Sequence, residues 1–294
     1  MIKEYIQMIS THSSLIIKEA VNSWNGIDFS KHEPEIIKDY LLTPGIGVDY
    51  LNQKIASVIS ASSPYEIKFA SVYCHQKPRI TRTVNSVSRC AGSTLSCELG
   101  DLMTIFLLLD RDKNVIASTA KIMQAKKIDV LDSESQKCLY ESDLEFEMPA
   151  NLIEHSTCSN PIRTLPDYHE DRDKALSYLI LNSGSPQNKE IPSSSNLSYH
   201  WSYHMQLTME FKTGLTFLKP LDATENGWNC IINDLINIGT GKIPSTRNRG
   251  LGLDYVIDAF NDYTYYPEYK QNFPDGIPKL IIICKDKERQ VSTE

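Results

Sequence analysis

The chain predicts an α/β fold, a central mixed sheet flanked by helices, and three observations carry that expectation. Near the start, Ile6, Ile9, Leu15, Ile16 and Val21 recur at helical spacing. After Pro64 the period changes, and two apolar runs follow, Leu102 to Leu109 and Val115 to Met123, separated by the turn-forming Arg111-Asp112-Lys113-Asn114. A short helical pattern, Ser133 to Asp143, comes next. Helices, then strands, then a helix are the makings of a layered α/β core.

In chain order, residues 5 to 24 are expected as one helix, ended by Asn25-Gly26. A second helix, Glu35 to Leu42, stops at Pro44-Gly45. A third, Tyr50 to Ile59, sets Leu51, Ile55, Val58 and Ile59 on one face and closes at Ser62-Ser63-Pro64. From Tyr65 the chain reads as extended, with Ile67 and Phe69 alternating, and continues as one strand toward Arg79-Ile80-Thr81. Residues 93 to 110 are the second strand, nearly all apolar after Asp101, as a central strand covered on both faces is. Residues 115 to 124 are its hairpin partner. The stretch 182 to 198, rich in Ser, Pro and Asn, reads as a linker or long loop. Beyond it, Gln206 to Leu218 fits helix or strand, Trp228 to Ile238 a helix, and Lys279 to Cys284 a closing strand. The expected organisation is an N-terminal helical segment (1–48), a core (49–181), the linker (182–198) and a C-terminal α+β extension (199–294) packing on the core.

Composition narrows the function classes. The 294 residues are enough to bury a real core, and their net charge of -7 excludes binding a polyanion through bulk positive field alone. Contact with nucleic acid must therefore be local or be supplied by a partner subunit or by homo-oligomerisation. No apolar run reaches the roughly 18 residues of a membrane helix, so no membrane association is expected. The first residues lack the charged and apolar regions of a signal peptide, which points to the cytoplasm. Seven cysteines lie far apart with no Cys-x-x-Cys pair, a pattern that suits reduced thiols.

The chemistry gathers on the two apolar strands. Cys97-Glu98-Leu99-Gly100-Asp101-Leu102 leads into the first, and Gln124-Ala125-Lys126 ends the second. An acid entering one strand and a polar-x-Lys closing the next suit metal-dependent phosphodiester cleavage. Asp101 holds a divalent cation, Gln124 and the Ala125 carbonyl add oxygen ligands, and Lys126 positions the attacking water and offsets transition-state charge. A neutral amide at 124 brings no charge, so a further carboxylate is wanted. Glu98 is one candidate, although period two sets it opposite Asp101 unless a bulge at Gly100 redirects it. Asp49, ahead of the third helix, is another. Other tripeptides of this kind lack the strand context; Glu66-Ile67-Lys68 is the nearest rival, but its upstream acid, Asp49, precedes a helix.

On Asp101, Gln124 and Lys126, over roughly residues 49 to 145, the chain resembles the PD-(D/E)xK nuclease superfamily in the Gln-x-Lys variant of Mrr-type restriction nucleases. The resemblance implies a restriction-endonuclease-like core, Mg²⁺ or Mn²⁺ as cofactor, DNA as substrate, and a restriction or anti-phage defence role. The alternative is a catalytically silent scaffold or binding subunit, favoured by the loss of an acid at Gln124.

Between Glu66 and Glu98 no acidic residue occurs, while Lys77, Arg79, Arg82 and Arg89 do, so this stretch is the candidate nucleic-acid contact. Lys242, Arg247 and Arg249 form a weaker cluster. Gly239-Thr240-Gly241-Lys242 fails as a phosphate loop, because Ile236 stands at the first glycine and Ile243 follows the lysine. His200 and His204 have zinc-ligand spacing, but Trp201 stands where a zinc protease carries Glu. The tyrosines from 255 to 269 fit a core or protein interface better than base stacking.

Overall fold

The N-terminal residues form two helices rather than one, α1 (Ile2–Thr11) and α2 (Ser13–Asn22), with the chain bending at His12. This computed structural model describes residues 1–76, 78–90, 95–127, 133–153, 156–167, 169–182, 189–192, 198–220, 222–240 and 275–287. Helix α3 (Glu33–Leu42) starts with a capping box in which the His32 side chain and Glu35 exchange bonds with each other's backbone. Helix α4 (Gly47–Leu51), a π-helical turn (Asn52–Ala56) and α5 (Ser57–Ser62) make one continuous rod.

The expected first strand breaks into β1 (Tyr65–Val72), β2 (His75–Gln76) and β3 (Arg79–Arg82), the last followed by α6 (Val84–Arg89). The second breaks at Gly100-Asp101 into β4 (Ser96–Glu98) and β5 (Leu102–Leu109). Then come β6 (Val115–Lys126), α7 (Glu134–Glu141), β7 (Glu145–Glu147), α8 (Ala150–Ile153), β8 (Ile162–Thr164), α9 (His169–Ala175) and β9 (Leu176–Ile180). The expected linker contains β10 (Lys189–Pro192). After it follow β11 (Tyr199–His200), α10 (Trp201–Met209), β12 (Leu215–Thr216), α11 (Trp228–Thr240), β13 (Asp275–Gly276) and β14 (Lys279–Asp286).

Eight strands form the main sheet in the order β1-β14-β5-β6-β9-β10-β11, with β12 beside β6. The sheet is mixed: β14 runs parallel to β5 and β9 parallel to β6, while β1/β14 and β5/β6 are antiparallel. The closing strand therefore lies between β1 and β5, so the C-terminal segment separates the first expected strand from the β5/β6 hairpin. A four-stranded antiparallel sheet, β4-β3-β7-β8, stands beside it.

Every residue of β5 is buried because both faces of the main sheet are covered. Met103, Ile105 and Leu107 join a core with Leu139 of α7, Ile231 of α11 and Phe146 of the smaller sheet. Leu102, Phe106 and Leu108 join a second core with Tyr5, Ile16 and Trp201 of the helices opposite. Among the described residues no helix is long and apolar enough to cross a membrane.

The cysteines depart from expectation. Cys90 is disulfide-bonded to Cys138 and Cys158 to Cys230, while Cys74, Cys97 and Cys284 are free and buried. Partners 48 and 72 residues apart leave no mark in the spacing, because only the fold decides which cysteines meet. Disulfides are rare in the cytosol, so this pairing weighs against the reduced-thiol, cytoplasmic expectation.

Candidate active site

Asp101 sits one residue before β5, and its N–H donates to the Met123 carbonyl at 2.9 Å. That bond falls one residue out of the β5/β6 register, in which Leu102 faces Met123, and holds Asp101 against the end of β6. Gly100 permits the approach, since a Cβ there would lie 2.4 Å from Ile122 Cγ2 and 3.2 Å from Tyr140 Oη. The Tyr140 hydroxyl donates to the Leu99 carbonyl at 2.8 Å and props the same turn from α7.

The Asp101 carboxyl is 4% exposed. Its Oδ2 accepts from the Gln124 side-chain amide and, at 2.8 Å, from the Ala125 N–H. Burial pushes the Asp101 carboxyl up to about 7; the Ala125 N–H and Lys126 pull it down, while Glu98 and Glu33 push it up. Asp101 and Gln124, 23 residues apart along the chain, are thus brought together, and the charge of Lys126 acts on the same carboxyl. Alternation along β6 puts Ile122 with Leu139 of α7 and Met123 with Trp201 of α10, so Gln124 and Lys126 share the α7 face of the sheet. Ala125 offers its N–H toward Asp101, and in a strand a residue's carbonyl points to the same side as its N–H.

The buried Gln124 Oε1 has no hydrogen-bond partner among the described residues, and neither has the hydroxyl of Tyr178, which faces Gln124 across the β6/β9 ladder. An orphaned amide oxygen beside a buried carboxylate fits a divalent cation. Turning the amide over exchanges its donor for its acceptor and aims two oxygens at one point. Among the described residues no group of three His, Cys, Asp or Glu side chains could hold a metal ion. Any cation here would rest on Asp101, the Gln124 amide and backbone oxygen.

The other expected residues fall variously. Glu98 belongs to β4 in the smaller sheet, 4.0 Å from the Arg79 guanidinium, so its position follows from the break at Gly100 rather than from strand alternation. Asp49 is engaged by the Gly45 N–H at 2.7 Å and by Gln53 at 2.9 Å. Arg79 is exposed and lies against Ser96 and Glu98. Arg82 requires correction: it is 1% exposed and binds Asp143 through two nitrogens, at 2.5 and 2.9 Å, so a phosphate backbone cannot reach it. Its polar character made it look like surface, but the smaller sheet folds over it. Lys77 and the Arg89 side chain lie outside the described residues, as do Lys242, Arg247, Arg249 and the tyrosines from 255 to 269.

Two groups escaped the sequence reading. Glu33, in the first turn of α3, bears electrostatically on Asp101 and accepts from the Lys127 N–H at 3.2 Å. A fully buried cluster on the other face joins Glu190 of β10 to Lys121 and to His204 Nδ1, with Thr213 2.9 Å from Lys121. Burial alone would raise the Glu190 carboxyl, but Lys121 and His204 hold it well below the usual range. His204 Nε2 is 3.4 Å from Thr104 and Thr208, while His200 caps α10 through the Ser202 N–H, so the two histidines do not share one site. Glu190 carried no mark because its neighbours are the Ser, Pro and Asn of a loop-like stretch.

Comparison with family models, with curated proteins and with solved structures finds no match to this chain.

Proposed function

We propose that the chain is a metal-dependent nuclease of restriction-endonuclease-like architecture that hydrolyses phosphodiester bonds of DNA. The observation that carries this reading is the meeting of Asp101 and Gln124, with Lys126 near enough for its charge to act on the same carboxyl. The hairpin β5/β6, followed by a connection through α7, β7, α8, β8 and α9 that returns β9 parallel beside β6, supports it.

Asp101, the Gln124 oxygen and the Ala125 carbonyl would hold Mg²⁺ or Mn²⁺. When bound, the cation polarises the scissile phosphate and lowers the pKa of a water. Lys126 would orient the attacking water and offset the charge that grows on the phosphoryl oxygens. Burial of Asp101 makes the carboxylate expensive to ionise without a cation. Exposed Arg79, with Lys77 and Arg89 nearby in sequence, would lie along the DNA backbone. The net charge of -7 favours recruitment to DNA by a partner subunit or a second copy, and a restriction or anti-phage defence setting suits such an arrangement.

The donor bond from Gln124 to Asp101 favours a second reading, a silent scaffold in which the pair satisfies itself without metal. Purified protein incubated with plasmid and Mg²⁺, beside Asp101→Ala and Lys126→Ala, separates the two. Cleavage by the parent chain and a loss of about a hundredfold or more in each variant is expected. Equal cleavage by all three, or none by the parent chain with Mg²⁺ or Mn²⁺, overturns the nuclease reading.

A further inference from the structure

The disulfide Cys90–Cys138 closes a covalent loop that contains Glu98, Asp101, Gln124 and Lys126. One end lies on α7 and the other just after α6. Cys138 belongs to α7, whose Tyr140 hydroxyl holds the Leu99 carbonyl at the turn presenting Asp101. Cys90 follows α6 in the basic stretch, and its carbonyl accepts from the Arg82 guanidinium at 3.0 Å. Ser86 of α6 also holds the Glu145 carbonyl at 2.7 Å.

The two disulfides differ in exposure. Cys158 and Cys230 are fully buried, whereas Cys90 is partly exposed. Exchange needs a thiolate to reach one sulfur, so exposed bonds are the labile and regulatory ones. Internal reshuffling is disfavoured, because burial pushes the neighbouring Cys97 thiol up to about 12 and keeps it protonated. Opening therefore calls for an external thiol.

We propose that Cys90–Cys138 is a thiol-responsive control point for the Asp101 site, opened by a dithiol while Cys158–Cys230 stays closed. One thiolate of the dithiol attacks a sulfur of the pair, forming a mixed disulfide and releasing the other cysteine as a thiolate that takes up a proton. The second dithiol sulfur then displaces the first cysteine. The dithiol leaves as a cyclic disulfide, and two electrons and two protons have passed to the protein. Reduction unties Cys90 from α7 and loosens the support that Tyr140 gives to Leu99, Gly100 and Asp101. The open form holds the basic stretch and the acid less firmly in register. As control of hydrolysis this rests on the proposed nuclease reading; as thiol chemistry it does not.

The test uses the whole chain, purified without reductant and exposed to graded dithiothreitol under native conditions. Freed thiols are alkylated with iodoacetamide and located by peptide mapping. Cys90 and Cys138 are expected to label at about tenfold less dithiothreitol than Cys158 and Cys230. Amide exchange at Asp101 is expected to rise about tenfold on opening, and again in Cys90→Ser. Native labelling of the parent chain keeps the test decisive should the variant fail to fold. Simultaneous opening of both bonds, Cys90 and Cys138 already free without reductant, or selective opening with unchanged exchange at Asp101 would each overturn the proposal. Plasmid cleavage is followed in parallel, and its absence in both states sinks the nuclease reading alone.

Discussion

Asp101 anchors the proposed site, and its burial has a thermodynamic sign. Its carboxyl rises from 3.8 to about 7 in the folded chain, so the folded state binds this proton more tightly than the unfolded state. The associated stability is fully present below about pH 4 and is lost as pH rises through 7. Asp101→Asn removes the titration while keeping an acceptor for the Ala125 N–H. Urea unfolding at pH 5 and pH 8 should show the variant gaining on the parent chain by about 3 kcal/mol between the two. A constant difference would mean that Asp101 ionises as it does in water. Mg²⁺ at pH 8 should stabilise the parent chain and leave Asp101→Asn unmoved. At Gly100 the space itself is used, and Gly100→Ala should cost about 1–3 kcal/mol by pressing on Ile122. Arg82→Ala should cost about 3–5 kcal/mol in a denaturant titration, because it strands the buried Asp143 carboxylate. Asp101, Gln124 and Lys126 could be picked out because each stands at the end of an apolar run. Arg82 could not be separated from surface arginines, since its partner lies 61 residues away.

Several elements kept their type and changed their limits. The expected first helix divides at His12, whose ring bonds the Met8 carbonyl at 2.9 Å while the backbone turns. The strand expected from 93 to 110 divides at Gly100, where the chain passes from the smaller sheet to the main one. That passage lets Glu98 and Asp101 bear on one another from different sheets. The edge of β1 shows how a strand is protected without a neighbouring strand. Asn52, in the π-helical turn, accepts from the Phe69 N–H at 2.9 Å and donates to the Phe69 carbonyl at 2.7 Å, as a paired residue would. Asn52→Ala should therefore cost about 1–3 kcal/mol, with faster amide exchange confined to β1. Unchanged exchange there would mean that packing alone guards the edge. The strand β10 was invisible in sequence because its place in the sheet is bound up with the Glu190 contacts to Lys121 and His204 rather than with an apolar pattern.

At the scale of the whole molecule, the two ends of the chain depend on each other. With β14 inserted between β1 and β5, the segment expected as an extension supplies a central strand. A chain ending at residue 274 should lose its cooperative unfolding transition by circular dichroism, whereas an independent extension would leave the core's transition intact. Closing a loop of 48 residues, the Cys90–Cys138 bond adds about 4 kcal/mol in the chain-entropy account. Local pattern by itself determined the alternation of helices and strands, the hairpin of β5 and β6 and the three residues at its mouth, because period, turn chemistry and apolar run length act over a few residues. Tertiary structure alone decided the insertion of β14, the pairing of cysteines, the burial of Arg82 and the nearness of Glu33 to Asp101. Each of these joins groups distant in sequence, and such contacts are selected by packing the whole chain at once.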